Sequence, residues 1–78
     1  MSDITLTDVT IHIDKDTDAT TRSNVENGLR RLNGVVSVHM PEEKPHLVVV
    51  EYNPEEITSS DLLTMVGELA GHAELIGL

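Results

Sequence analysis

Residues 21–38 read Thr-Arg-Ser-Asn-Val-Glu-Asn-Gly-Leu-Arg-Arg-Leu-Asn-Gly-Val-Val-Ser-Val, and this stretch leaves few folds open. Val25, Leu29 and Leu32 recur at i, i+4 and i+7, which places them on one face of an amphipathic helix. Asn33-Gly34 stops that helix, because glycine accepts the left-handed conformation at a helix end without a Cβ clash. Val35, Val36 and Val38 follow at once, β-branched and suited to a strand. One helix therefore turns tightly into one strand.

The flanking segments repeat the theme. Before the helix, Val9, Ile11 and Ile13 alternate with Thr10, His12 and Asp14, the period of a half-buried strand. Lys15 to Thr20 reads as a loop, with Asp18, Thr20, Thr21 and Ser23 as candidate N-caps. Ser23-Asn24-Val25-Glu26 also matches a capping box, so the helix start is open by about one turn. Gly28 within the helix suggests a close approach to the sheet. The second strand runs from Val35 to about Met40, and Pro41-Glu42-Glu43-Lys44-Pro45 makes a hydrophilic connection to a third strand, His46 to Tyr52. Val48, Val50 and Tyr52 face one side of that strand, and Leu47, Val49 and Glu51 the other. After Asn53-Pro54, Thr58 caps a second helix with Asp61 three residues on, and Leu62, Met65, Val66 and Leu69 form its apolar stripe. Ala70-Gly71 ends it, and Ala73 to Leu78 is a short fourth strand.

The order β-α-β-β-α-β predicts an α+β, ferredoxin-like sandwich: a four-stranded antiparallel sheet, order 4-1-3-2, with both helices on one face. Helical faces Val25/Leu29/Leu32 and Leu62/Val66/Leu69 should cover Val9, Ile11, Ile13, Val38, Met40, Val48 and Val50. The 78 residues are read as a single domain, 1–78, with an aliphatic core, since there is one Tyr and no Phe or Trp. With no cysteine the chain has no disulfide, thiolate nucleophile or thiolate metal site. Fourteen acidic against five basic side chains, a formal charge of −9, argue against nucleic-acid and membrane partners. No long apolar run or signal-peptide pattern is present, so a cytoplasmic location is expected.

The Asn-Gly-Val turn, the Glu-Tyr-Asn-Pro exit of the third strand and the spacing resemble the heavy-metal-associated (HMA) domain family, over about residues 8–76. A regulatory ACT-type domain would share much of the same order. In the HMA family a Gly-Met-Thr-Cys-x-x-Cys loop precedes the first helix, and its thiolates bind a soft ion such as Cu(I). The matching stretch here is Lys15-Asp16-Thr17-Asp18-Ala19-Thr20-Thr21, in which only Thr17 agrees. Asp18 and Thr21 stand at the two cysteine positions and Asp16 replaces the family's Met. Carboxylate and hydroxyl oxygens do not replace sulfur for a soft ion. The resemblance therefore implies a metallochaperone-like fold from which soft-metal chemistry has been lost.

Candidate metal ligands are Asp16, Asp18 and His72, which together would suit Zn²⁺ or Ni²⁺. His72 falls in a loop near that site if Gly71 matches the family's glycine, and one position on in the strand if Ala70 does. Asp14, Asp16 and Asp18 alternate like the start of a calcium loop, but its glycine and terminal glutamate are missing. A second candidate site is the sheet face away from the helices, carrying Thr10, His12, Ser37, His39, Leu47, Val49 and Glu51. There His12, His39, Leu47 and Val49 form a candidate interaction surface for a protein partner or a homodimer.

No catalytic motif stands in the required context, so the chain is not expected to be an enzyme. The function expected is a non-catalytic, cysteine-free HMA-like domain serving as a protein-interaction or regulatory module, with no cofactor. The alternative is a small metal-binding or metal-carrier protein using Asp and His ligands.

Overall fold

The computed structural model describes residues 5–76. In chain order they form β1 (Thr7–His12), α1 (Ala19–Arg30), β2 (Val35–His39), β3 (Leu47–Tyr52), α2 (Ser59–Ala70) and β4 (Glu74–Ile76). Residues 1–4 and the last two residues of the expected fourth strand lie outside the described residues.

Both helices begin where a side-chain oxygen meets their free amides. Asp18 caps α1, its Oδ1 accepting from the Thr21 amide at 2.7 Å. The helix therefore starts ahead of the Ser23–Glu26 box, which goes unused. Thr58 caps α2 in a complete capping box: its hydroxyl accepts from the Asp61 amide at 3.1 Å, and the Asp61 carboxylate accepts from the Thr58 amide at 3.4 Å. Gly71 closes α2 in the left-handed conformation expected of it, at φ +86°.

The end of α1 differs from expectation. The helix stops at Arg30, its cap Arg31 stays right-handed, and the left-handed residue is Gly34 at φ +98°, at the entrance to β2. Gly34 is needed there for a tertiary reason as well. Its carbonyl accepts from the Asn53 amide at 2.7 Å, and a Cβ on it would lie 2.9 Å from Glu56 Cβ and Ile57 Cγ2. The turn thus locks the helix–strand unit against the connection from β3 to α2.

The sheet order is β2-β3-β1-β4, all neighbours antiparallel, which is the expected order read from the other edge. β1 pairs with β3 from Thr7↔Tyr52 to His12↔Leu47, and the β2–β3 pairing skips Val36 in a bulge. Val9, Ile11, Ile13, Val38, Val48 and Val50 meet Val25 and Leu29 of α1 and Leu62 and Val66 of α2 in one aliphatic core, completed by Tyr52 and Ile57.

Four residues, Met40, Leu32, Leu69 and Gly28, pack differently from expectation. Met40 and Leu32 lie at the margin of the core rather than in it. Leu69 is 38% exposed, and its side chain lies close to Gly28 of α1. Gly28 accordingly serves a close approach between the helices: a Cβ there would be 3.0 Å from Leu69 Cδ1 and 3.5 Å from Met65 Sδ. Ile57 joins the core from a connection whose sequence has no strand or helix period to reveal it.

Candidate functional site

The loop between β1 and α1 uses its polar groups on itself. The Thr17 hydroxyl donates to the Asp14 carbonyl at 2.6 Å, and the Thr17 amide to the same oxygen at 3.1 Å. Asp18 and Thr21, at the two positions where the resemblance places cysteines, are joined by the capping hydrogen bond. Hydrogen bonding from Thr21, its amide first and its side chain next, holds the Asp18 carboxyl below its ordinary value of 3.8. The Asp18 carboxylate is thus already employed in starting the helix.

Asp16 and Asp18 line one shallow groove with Asp14, Thr17 and Thr21, against the Glu68–Gly71 end of α2. His72 does not line this groove; its Nε2 lies 3.8 Å from Glu74 Oε2. Among the described residues, no group of three or more His, Cys, Asp or Glu side chains is placed to hold a metal ion. The structure therefore brings two of the three expected ligands together and leaves the third apart.

The other candidate site is a surface laid out by strand register. Pairing places His39, Val49, Thr10 and Ile76 in one row across all four strands. On one side of that row lie Leu47, His12 and Glu74, and on the other Ser37, Glu51 and Asp8. Leu47, Val49, Thr10, His12 and Glu51 are half-buried by their neighbours alone, while Ile76 is 42% exposed. The helices pack on the opposite face, so among the described residues no layer covers the row. Leu47, Val49 and His12 thus lie together on this face, with His39 at the edge of the same row. Ile76 belongs to the same row, although nothing in the sequence of β4 sets its register against β1.

Among the described residues no helix is long and apolar enough to cross a membrane.

A four-stranded sheet of order β2-β3-β1-β4 with two helices on one face defines the class: an α+β, ferredoxin-like domain. No family model matches the sequence, and no curated protein matches it. Solved structures do. Oxidized MerP from Ralstonia metallidurans matches with a TM-score of 0.81 over 94% of this chain and 100% of that one, at 15% identity. The N-terminal domain of a potential copper-translocating P-type ATPase from Bacillus subtilis, in its Cu(I)-loaded state, matches with a TM-score of 0.74 over 91% of this chain and 85% of that one, at 28% identity. The mercury-bound form of MerP, the periplasmic protein of the bacterial mercury detoxification system, gives 0.75 over 94% and 100% at 19% identity. Within the ferredoxin-like class, then, this chain has the fold of the heavy-metal-associated domains, and it carries no cysteine.

Proposed function

We propose that this chain is a non-catalytic protein-interaction domain that has kept the heavy-metal-associated fold and given up soft-metal binding. The observation that carries this reading is the uncovered row of Val49, Thr10 and Ile76, with Leu47 and His12 beside it. Apolar side chains aligned across an open sheet and rimmed by polar ones form a common kind of binding surface. The loop that would hold metal in a cysteine-bearing relative supports the same reading, because its Asp18 is engaged with the Thr21 amide. A protein that meets its partner through such a face needs no general acid, base or nucleophile, and none is required here. The face serves equally in the cytoplasm, where this chain is proposed to act, and in a compartment such as the periplasm, where the MerP of one similar structure resides.

The test is a comparison of the unmodified protein with the Leu47→Lys/Val49→Lys variant, both with natural binding partners and by sedimentation across a concentration series. Binding or self-association lost in the variant, with circular dichroism unchanged, supports the open face. Association that survives both lysines moves the interface elsewhere. A parallel titration with Cu(I), Zn²⁺, Ni²⁺ and Ca²⁺ followed by backbone NMR addresses the loop. Micromolar binding with shifts confined to Asp16, Asp18 and His72 would replace this reading by the metal-carrier one.

A further inference from the structure

The charges around the open face say which kind of partner fits it. At neutral pH the strand residues on this face contribute three carboxylates, Asp8, Glu51 and Glu74, and neither lysine nor arginine. Asp8 and Glu51 stand directly opposite each other on β1 and β3, a cross-strand arrangement in which like charges repel. Among the described residues neither is in an ion pair; Glu51 accepts only a long hydrogen bond, 3.4 Å, from the Ser37 hydroxyl. The lysines nearest the face, Lys15 and Lys44, act on His46 beyond its His12 end, away from Asp8 and Glu51.

From this arrangement we infer that the open face takes a cationic partner: a segment of another protein that presents, on one side, apolar side chains flanked by Lys or Arg. This rests on the open-face reading and selects among its occupants. The apolar residues of such a segment would lie along Val49, Thr10 and Ile76. Its cations would lie over the Asp8/Glu51 pair and over Glu74, removing a repulsion that the domain alone leaves in place. A second copy fits less well, because face-to-face stacking brings six carboxylates into one interface and two bodies of charge −9 together. Nucleic acid and anionic lipid are repelled for the same reason. The bulge at Val36 disturbs the β2 edge, and Arg30 of α1 donates to the Val38 carbonyl there at 3.2 Å. Pairing along the β2 edge is thereby obstructed.

The experiment uses the full chain, isotope-labelled, and three synthetic peptides: one with a leucine centre flanked on both sides by lysines, one with the same centre flanked by glutamates, and one with the first composition in two blocks. The expected result is that the lysine-flanked peptide shifts the amides of Thr10, Val49, Glu51 and Ile76 and binds at least about tenfold more tightly than either control. Asp8→Asn/Glu51→Gln should weaken it several-fold, with the spectrum otherwise preserved. Equal binding of the acidic peptide, or shifts centred on residues 14–18, overturns the inference without any variant being needed. Self-association that Leu47→Lys/Val49→Lys abolishes would also overturn it, while leaving the open-face reading intact. Association unaffected by that variant removes both.

Discussion

The rings of His12 and His46 meet edge to face, their centroids 5.3 Å apart and their planes 79° from parallel. His46 precedes β3, and its carbonyl accepts from the Ile13 amide at 2.8 Å, so the pair sits where β1 leaves the sheet. His46 Nδ1 is shut off from water and has no hydrogen-bond partner. Protonating the ring would leave a buried N–H donor unmatched. Loss of solvent around the ring is the first cause that holds His46 below its ordinary value of 6.5, followed by the charges of His12, Lys15 and Lys44.

That depression sets a direction for stability against pH. The folded chain keeps His46 neutral at pH values where the unfolded chain already binds the proton. The stabilisation is thus complete above about pH 6.5 and is lost as the pH falls through the lower folded value. In denaturant titrations between pH 7.5 and 5, His46→Gln should lose less stability on acidification than the unmodified protein. The ring signals of His46 should titrate with a midpoint below 6.5; a midpoint above it would mean that the contact with His12 favours the charged ring.

The cap on α1 gives a second, more acidic dependence. Asp18 must be ionised to accept fully from the Thr21 amide, and its lowered value means that this stabilisation is present above about pH 3.8 and disappears below it. Asp18→Ala should destabilise the start of α1 at neutral pH, whereas Asp18→Asn should recover much of the loss, because an amide oxygen also caps. Hydrogen exchange at Thr21 and Arg22 reports the effect locally. Because these positions coincide with the missing cysteines, Asp18→Cys/Thr21→Cys should also acquire Cu(I) binding. Failure of the folded double variant to take Cu(I) from a weak chelator would show that the loop geometry differs from that of a metal-binding relative.

The two buried-side glycines should respond in opposite ways. Gly34→Ala forces a Cβ into a positive-φ residue and to within 2.9 Å of Glu56 Cβ and Ile57 Cγ2, so it should cost more than about 1 kcal/mol. Gly28→Ala places its Cβ 3.0 Å from Leu69 Cδ1, the end of a flexible and partly exposed side chain. The helix propensity of alanine, worth about 1 kcal/mol over glycine, should make this change neutral to stabilising. Urea denaturation separates them; an equal loss for both would mean that the seam between α1 and α2 is too rigid for Leu69 to move.

Period explains which parts of this structure were legible in the sequence. The alternation of Val9, Ile11 and Ile13 and of Val48, Val50 and Tyr52 fixed two strands and their faces. The stripe Val25/Leu29 did the same for α1, and a Thr-x-x-Asp signal located the start of α2. What the pattern missed depends on tertiary placement. Ile57 is buried where its connection meets the Gly34 turn, and the partly exposed Leu69 lies close to Gly28 of α1. The same limit applies to the site. Asp16, Asp18 and His72 are close in alignment, yet the hydrogen bonds of the loop direct Asp18 to Thr21 while His72 falls beside Glu74. Which strand residues point away from the helices was legible from period-2 alternation, whereas the register that aligns them across the sheet was not.

The most direct check of the two sheet faces lies in three consecutive residues of β3. Val48 is fully buried among the helices, whereas Leu47 and Val49 on either side face outward and are only half-buried. Val48→Ala removes two methyl groups from a closed aliphatic core, leaving a cavity that should cost roughly 1–3 kcal/mol. Leu47→Lys and Val49→Lys can extend their charged ends into solvent while their stems stay on the sheet, so each should cost less than that. The lysines also bring positive charge to a face that otherwise presents Asp8, Glu51 and Glu74, which offsets part of the lost apolar contact. Chemical denaturation at a concentration where the protein is monomeric compares the three directly. If either lysine proved more damaging than Val48→Ala, the outward face would have to be covered by something within the domain, and the surface on which the proposed function rests would not be open.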